Sequence, residues 1–224
     1  MNCLERRKDA FEAVLWNDEA GIWVDYNVTS NSQRSALPEL FYVSSFTPLW
    51  AGLYWDGLTT GNYTAEEIGD KFLSAIDKIG ITQFVGGLPT SLQDTSQQWD
   101  FPNGWAPLQM FAIEGLSRLG EPGNSIASQI ASAWLQNNYN GWLGAHQMFE
   151  KYNATSTSGI PGTGGEYDVQ SGFGWTNGAI FELLLRYCSG SKSHIAIYLI
   201  LTSNSFVHQS LWADSSTNQL KEIC

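Results

Sequence analysis

Cysteine, histidine and positive charge are all scarce in this chain. Its 224 residues contain 3 Cys, 3 His and 11 Lys+Arg. Cys3, Cys188 and Cys224 are too few and too scattered for a disulfide framework or a zinc site. One bridge with one free thiol is the most they allow. His146, His194 and His208 show no ligand spacing, so no metal and no cofactor is expected. Long apolar runs are absent as well. The best candidate, Ile195 to Leu201, falls far short of the roughly 18 residues a membrane-spanning helix needs. No basic-then-apolar leader follows Met1, so no secretory signal is expected within this chain. Asp+Glu number 22 against 11 Lys+Arg, a net charge of −11. That acidity repels phosphate backbones and argues against a nucleic-acid partner. It does not select a cationic one, since acidity alone mostly serves solubility.

What the chain has in quantity is aromatic surface. Ten Trp, 9 Tyr and 11 Phe make up 13% of the residues, within a hydrophobic total of 43%. A chain of this length and apolar content folds into one large domain or two small ones and is not disordered. Flat indole faces suit the C–H face of a pyranose, so the composition fits a sugar ligand. It fits a Trp-rich core or an oligomer interface equally well.

Helical periodicity dominates the chain. Residues 3–17 carry Leu4, Phe11, Val14 and Leu15 on one side. Thr64 and Glu67 stand in capping-box spacing ahead of 65–79, where Ile68, Phe72, Ile76 and Ile79 form a stripe. Pro107 opens 107–119, which places Leu108, Phe111, Leu116 and Leu119 on one face. Helices are also predicted over 125–138, 142–152 and 175–188, with a shorter one after Pro38. Strands are expected only at Ile22–Tyr26 and Ile81–Val85. Long loops rich in Gly, Pro, Asn and aromatics separate the helices at 51–63, 80–106 and 153–174. Loops of that length in a compact domain usually serve function. The pattern predicts an all-α fold of stacked helical hairpins with a site at the loop end.

Two loops carry the chemistry. Gln97 to Pro107 offers two indoles, a carboxylate and amides just before a helix. Its Asp100 suits either direct ligand contact or bonding within its own loop. Gly159 to Asn177 places Glu166 and Tyr167 behind glycines at 162, 164 and 165, which let the backbone approach something closely. No Lys-Ser or Lys-Thr follows, and the carboxylate would repel phosphate, so a phosphate cradle is excluded. A carboxylate on such a turn, beside Tyr167, Phe173 and Trp175, suits an acid–base or sugar-binding role. A solvated loop glutamate is the plain alternative.

The string QWDFPNGWAP, Gln98 to Pro107, resembles the second diagnostic motif of the trehalase family, and agrees at each fixed position. GTGGEYDVQSGFGWTNG, Gly162 to Gly178, resembles that family's Gly-rich Glu-Tyr segment, with Thr163 where Gly is usual. Arg7, Ala10, Trp16 and the run Gly21 to Asn27 resemble the segment upstream of these motifs, and Gly86 to Ser91 fits too. The resemblance covers residues 4–188 in order.

It implies part of an (α/α)6 toroid, about half to two-thirds of the barrel. It also implies hydrolysis of α,α-trehalose to two glucoses with inversion. Inversion needs one carboxyl group as acid and a second as base, about 6.5–9.5 Å apart, with a water between base and sugar. The resemblance makes Glu166 the general base. Trp99, Trp105, Phe173 and Trp175 become candidate sugar platforms, and Gln98 and Asn103 candidate hydroxyl partners. The family's acid is an aspartate in a Ser-Gly-Trp-Asp segment, and neither that segment nor Pro-Gly-Gly-Arg-Phe occurs in this sequence. The expectation is therefore a C-terminal portion of a trehalase over 1–188, followed by a divergent tail over 189–224. Asp25, Asp56 and Asp100 are the loop carboxylates that could substitute for the acid. A non-catalytic sugar-binding fragment and an incomplete gene model are the alternatives. The sequons at Asn27, Asn62 and Asn153 point to a parent in the secretory pathway.

Overall fold

The computed structural model describes residues 3–34, 38, 41–53 and 63–188. Six helices and six very short strands order as α1 (Cys3–Leu15), β1 (Trp16–Asn17), β2 (Ile22–Trp23), β3 (Tyr26–Asn27), β4 (Ser32–Gln33), α2 (Thr47–Trp50), α3 (Ala65–Ile79), β5 (Asn103–Trp105), α4 (Ala106–Ser117), α5 (Gly120–Ala145), β6 (Lys151–Asn153) and α6 (Gly174–Tyr187) among these residues. Among the described residues the strands form three antiparallel ribbons, β1–β2, β3–β4 and β5–β6, and Tyr152 of β6 also bridges Pro161. The fold is mostly helical, as the periodicity predicts.

Helix α3 shows how sequence becomes structure here. Thr64 Oγ1 accepts from the Glu67 amide at 3.2 Å, and Glu67 Oε2 accepts from the Thr64 amide at 2.7 Å. That reciprocal pair satisfies two donors that a helix start leaves open. Gly80, at φ 73°, ends the helix in the left-handed conformation that glycine tolerates. Ile68, Phe72 and Ile76 are buried. The Phe72 ring meets Trp23 at 5.6 Å and Phe46 at 5.1 Å, joining α3 to the N-terminal ribbon and to the 3₁₀ turn Val43–Phe46.

Helices α4 and α5 form a tight hairpin at the centre. Helix α4 packs most extensively on α5 and also meets α2 and α6. A Cβ at Gly115 would stand 2.9 Å from Leu49 Cβ, so glycine sets how closely α2 approaches α4. Ala112, Ile113, Leu116, Ile130, Ala131 and Trp134 fill the shared core.

Several expectations need correction. Residues 142–152 are not a separate helix. Helix α5 absorbs 125–138 and runs on to Ala145, ending where His146 turns left-handed at φ 54°. Lys151–Asn153 is then drawn into a strand by pairing with β5. Ile81–Val85 is not a strand. Ile81–Gln83 forms a 3₁₀ turn directly after Gly80, and Ile81 is buried as the hydrophobic anchor of that turn. The N-terminal strand signal breaks into two ribbons. After Pro38 the chain makes the 3₁₀ turn and then α2. Asp56, the sequon at Asn62, most of the 51–63 loop and the 189–224 tail lie outside the described residues.

Thr64→Ala should lower stability by about 1 kcal/mol, read as a shift in urea midpoint with an unchanged slope. A second expectation concerns alkali. Burial pushes the Tyr152 phenol up to about 12 from 10.0. The folded state therefore favours the neutral phenol. That stabilisation is complete below the unfolded value and is lost as pH rises from about 10 toward 12. Tyr152→Phe should lose stability near neutrality, because the Phe149 amide loses its acceptor at 3.0 Å. Across that alkaline window it should lose less than the unsubstituted chain does, which urea titrations at the two ends of the window will show.

Candidate active site

The β5–β6 ribbon places the site. Asn103 pairs with Asn153, Gly104 with Tyr152 and Trp105 with Lys151. Side chains alternate along a strand, so Gly104 and Tyr152 share one face. That face packs on α5: the Tyr152 and Trp134 rings meet edge to face at 5.5 Å. A Cβ at Gly104 would come within 3.2 Å of the Trp134 ring. The opposite face therefore presents Asn103, Trp105 and Lys151.

The Gly-rich loop docks onto that second face. Asn103 Nδ2 donates to the Thr163 carbonyl and Asn103 Oδ1 accepts from the Thr163 amide, both at 2.9 Å. The other Nδ2 proton goes to the Asp100 carbonyl at 2.9 Å. Lys151 Nζ donates to the carbonyls of Thr163 and Gly164, each at 2.9 Å. The close approach anticipated for the glycines is an approach to the other loop. A Cβ at Gly162 would stand 2.3 Å from Asn103 Oδ1, and one at Gly164, where φ is +81°, 2.5 Å from the Ser96 carbonyl. The Gly165 amide donates to that same carbonyl at 3.1 Å. Two loops about 60 residues apart in sequence are thus one packed unit.

Aromatic rings cap this unit. Trp99 stacks on Trp105 at 3.8 Å with planes 13° apart. Trp175 meets Trp105 edge to face at 5.6 Å and Trp99 at 6.5 Å, and Phe173 leans on Trp175 at 4.8 Å. Trp99 is 42% exposed and Trp175 38%, but Trp105 only 1%. Trp105 also donates its Nε1 proton to the Gln98 carbonyl at 3.0 Å. Trp105 is therefore the floor under Trp99 and not itself an open platform. Asn103 is likewise buried, and both Nδ2 protons and one lone pair of Oδ1 go to Asp100 and Thr163, which makes it part of the joint between the two loops.

The carboxylates divide sharply. Glu166 is exposed, and among the described residues its side chain has no hydrogen-bond or ion-pair partner. Glu150, which sequence reasoning passed over, is only 3% exposed. Its Oε1 accepts from the Tyr167 hydroxyl at 2.9 Å and its Oε2 from the Gln170 amide at 3.3 Å. The bond to Glu150, with burial behind it, holds the Tyr167 phenol above its ordinary value, and the Gln98 side chain acts on it in the opposite sense. Gln98 Oε1 is buried beside this group without a partner among the described residues. Trp175 Nε1 donates to the Glu150 carbonyl at 3.3 Å, and Thr176 Oγ1 to that of Phe149 at 2.8 Å. These bonds tie the start of α6 to the residues leading into β6.

Asp100 takes the loop-bonding role. It is largely buried, and its two oxygens accept the hydroxyls of Ser91 and Thr95. Asp25 faces Arg34 at 3.7 Å beside the β3–β4 hairpin, and Arg34 donates to Gln93 Oε1 at 3.0 Å. Among the described residues no group of three or more His, Cys, Asp or Glu could hold a metal, and no helix is long and apolar enough to cross a membrane. Glu150 and Lys151 were missed because 142–152 reads as an amphipathic helix with a solvated charged face. An adjacent acid and base that are both buried belong to a strand against a docked loop, and that docking is a long-range event.

The family model described as Trehalase matches residues 2–188. The chain is 42% identical to a trehalase of Apis mellifera over 181 residues, 80% of this chain and 27% of that relative. It is 41% identical to a Homo sapiens trehalase over 192 residues, 84% of this chain and 30% of the relative. Its fold superposes on the solved neutral trehalase Nth1 from Saccharomyces cerevisiae with a TM-score of 0.61 and 26% identity, covering 91% of this chain and 33% of that one. The chain thus spans a third or less of the length of these relatives, and the family model's match ends at residue 188. This chain belongs to the trehalase family.

Proposed function

We propose that this chain supplies the water-activating side of a site that hydrolyses α,α-trehalose to two glucoses with inversion. The observation that carries this reading is the joining of the two family-diagnostic loops. The Gln98–Pro107 and Gly162–Gly178 segments are bonded into one surface, where the open indole of Trp99 meets Trp175 and where Gly165, next to Glu166, closes on Gln98. An exposed indole face suits the C–H face of a pyranose, and the carboxylates suit its hydroxyls or the attacking water. The resemblance assigns the general base to Glu166. The proton donor belongs to the Ser-Gly-Trp-Asp segment of the family, so the chain on its own is proposed to be inactive. Asn27 is exposed in the β3–β4 hairpin, a placement compatible with a glycan and a secreted parent.

One observation favours a second assignment within the same site. A general base has to be held still, and Glu150 is fixed by Tyr167 and Gln170 whereas Glu166 is untethered. On that reading Glu150 activates the water, and Glu166 bonds a sugar hydroxyl.

The test uses the chain extended by the upstream family segments, with trehalose as substrate. Proton NMR of the first products should show one α- and one β-glucose, the signature of inversion. If Glu166 is the base, Glu166→Gln lowers kcat by about 10²–10⁴-fold at little change in KM. If Glu150 is the base, Glu150→Gln does so and Glu166→Gln chiefly raises KM. Wild-type turnover by both variants contradicts the proposal.

A further inference from the structure

Lys151 is the one strongly buried cation among the described residues, at 1% exposure, and neither assignment above uses it. Among the described residues it has no carboxylate partner in hydrogen-bond range. Its Nζ instead donates to two successive backbone carbonyls, Thr163 and Gly164, and lies 5.5 Å from the centre of the Trp105 ring. Burying an ammonium is costly unless the site supplies charge-assisted bonds. This one spends both bonds on the segment just before Glu166. Burial in fact pulls the Lys151 pKa below its ordinary value, while the neighbouring Glu150 opposes that shift.

A neutral clamp already exists. Asn103 bonds both backbone groups of Thr163, but it reaches neither group of Gly164. Gly164 and Gly165 both stand at positive φ, +81° and +92°, so the chain between Thr163 and Glu166 has little intrinsic preference for its bent path. Lys151 grips that path from beneath at a point Asn103 leaves free. Its backbone does so too, since the Gly162 amide donates to the Lys151 carbonyl at 2.9 Å.

We propose that Lys151 is a positioning residue for Glu166: its buried ammonium pins the Thr163 and Gly164 carbonyls and so sets where the Glu166–Tyr167 turn stands. The proposal rests on the reading that this turn serves the sugar site. Its test measures loop order and not glucose release, so the two can fail separately.

The experiment is residue-resolved hydrogen exchange on the 224-residue chain, comparing Lys151→Met and Lys151→Arg with the unsubstituted protein. Methionine keeps most of the stem volume and removes the ammonium, and arginine restores a cation. The expected result is an exchange rate at the Gly165 amide at least about tenfold faster in Lys151→Met, with the α4 and α5 amides unchanged and protection recovered in Lys151→Arg. Unchanged Gly165 exchange in Lys151→Met overturns the proposal. So does a uniform rise across α4 and α5, which would make Lys151 a general core residue. If Lys151→Met does not fold, amine labelling of the unsubstituted protein decides. A pinned Lys151 should react at least about tenfold more slowly than exposed Lys78, and equal rates overturn the proposal.

Discussion

One amide side chain holds the site together. Asn103 bonds the N–H and the C=O of Thr163, which lies 60 residues away in the chain, and spends its remaining proton on its own loop. Everything distinctive about the surface follows from that contact. It seats the strand of loop leading to Glu166 against β5, requires glycine at 162, and goes with Trp99 and Trp175 left exposed. Breaking it removes two bonds to Thr163 and leaves the loops joined by Lys151 on the Thr163 and Gly164 carbonyls and by the Gly165 amide on Ser96.

The aromatic excess is divided between two tasks. Trp23 and Trp134 are core residues, one against Phe72 and the other against Tyr152. Trp99 and Trp175 are open, and Trp105 is the buried joint between them and the ribbon. Composition could not separate these roles, and this is why core and ligand surface were equally good readings of ten tryptophans. Burial of the ring separates them, and burial is a property of the whole fold.

What was legible in the sequence was local. The Thr64–Glu67 cap, the Pro107 start and the apolar stripes of α3 and α4 act within a turn or two, and the structure has helices there. The glycines at 162, 164 and 165 announced a close approach. Their partner was hidden, because Ser96, Gln98 and Asn103 meet them only after the chain has closed on itself. The same distance concealed Glu150 and Lys151. Residues 142–152 have helical periodicity, yet the end of α5 at His146 and the pairing of Lys151 with Trp105 override it. Asn103 shows the converse: an amide in a diagnostic motif suggests a ligand, and here three of its bonds serve the joint between the loops.

The central claim is that the docked loops form a sugar surface centred on Trp99 beside two unlike carboxylates. A crystal structure of this chain grown with trehalose tests it most directly. The account predicts a pyranose ring lying on the outer face of Trp99, with hydroxyls within about 2.6–3.2 Å of the carboxylate of Glu166 or Glu150. A sugar bound elsewhere, or none at saturating trehalose with Thr163 still seated on Asn103, would contradict it.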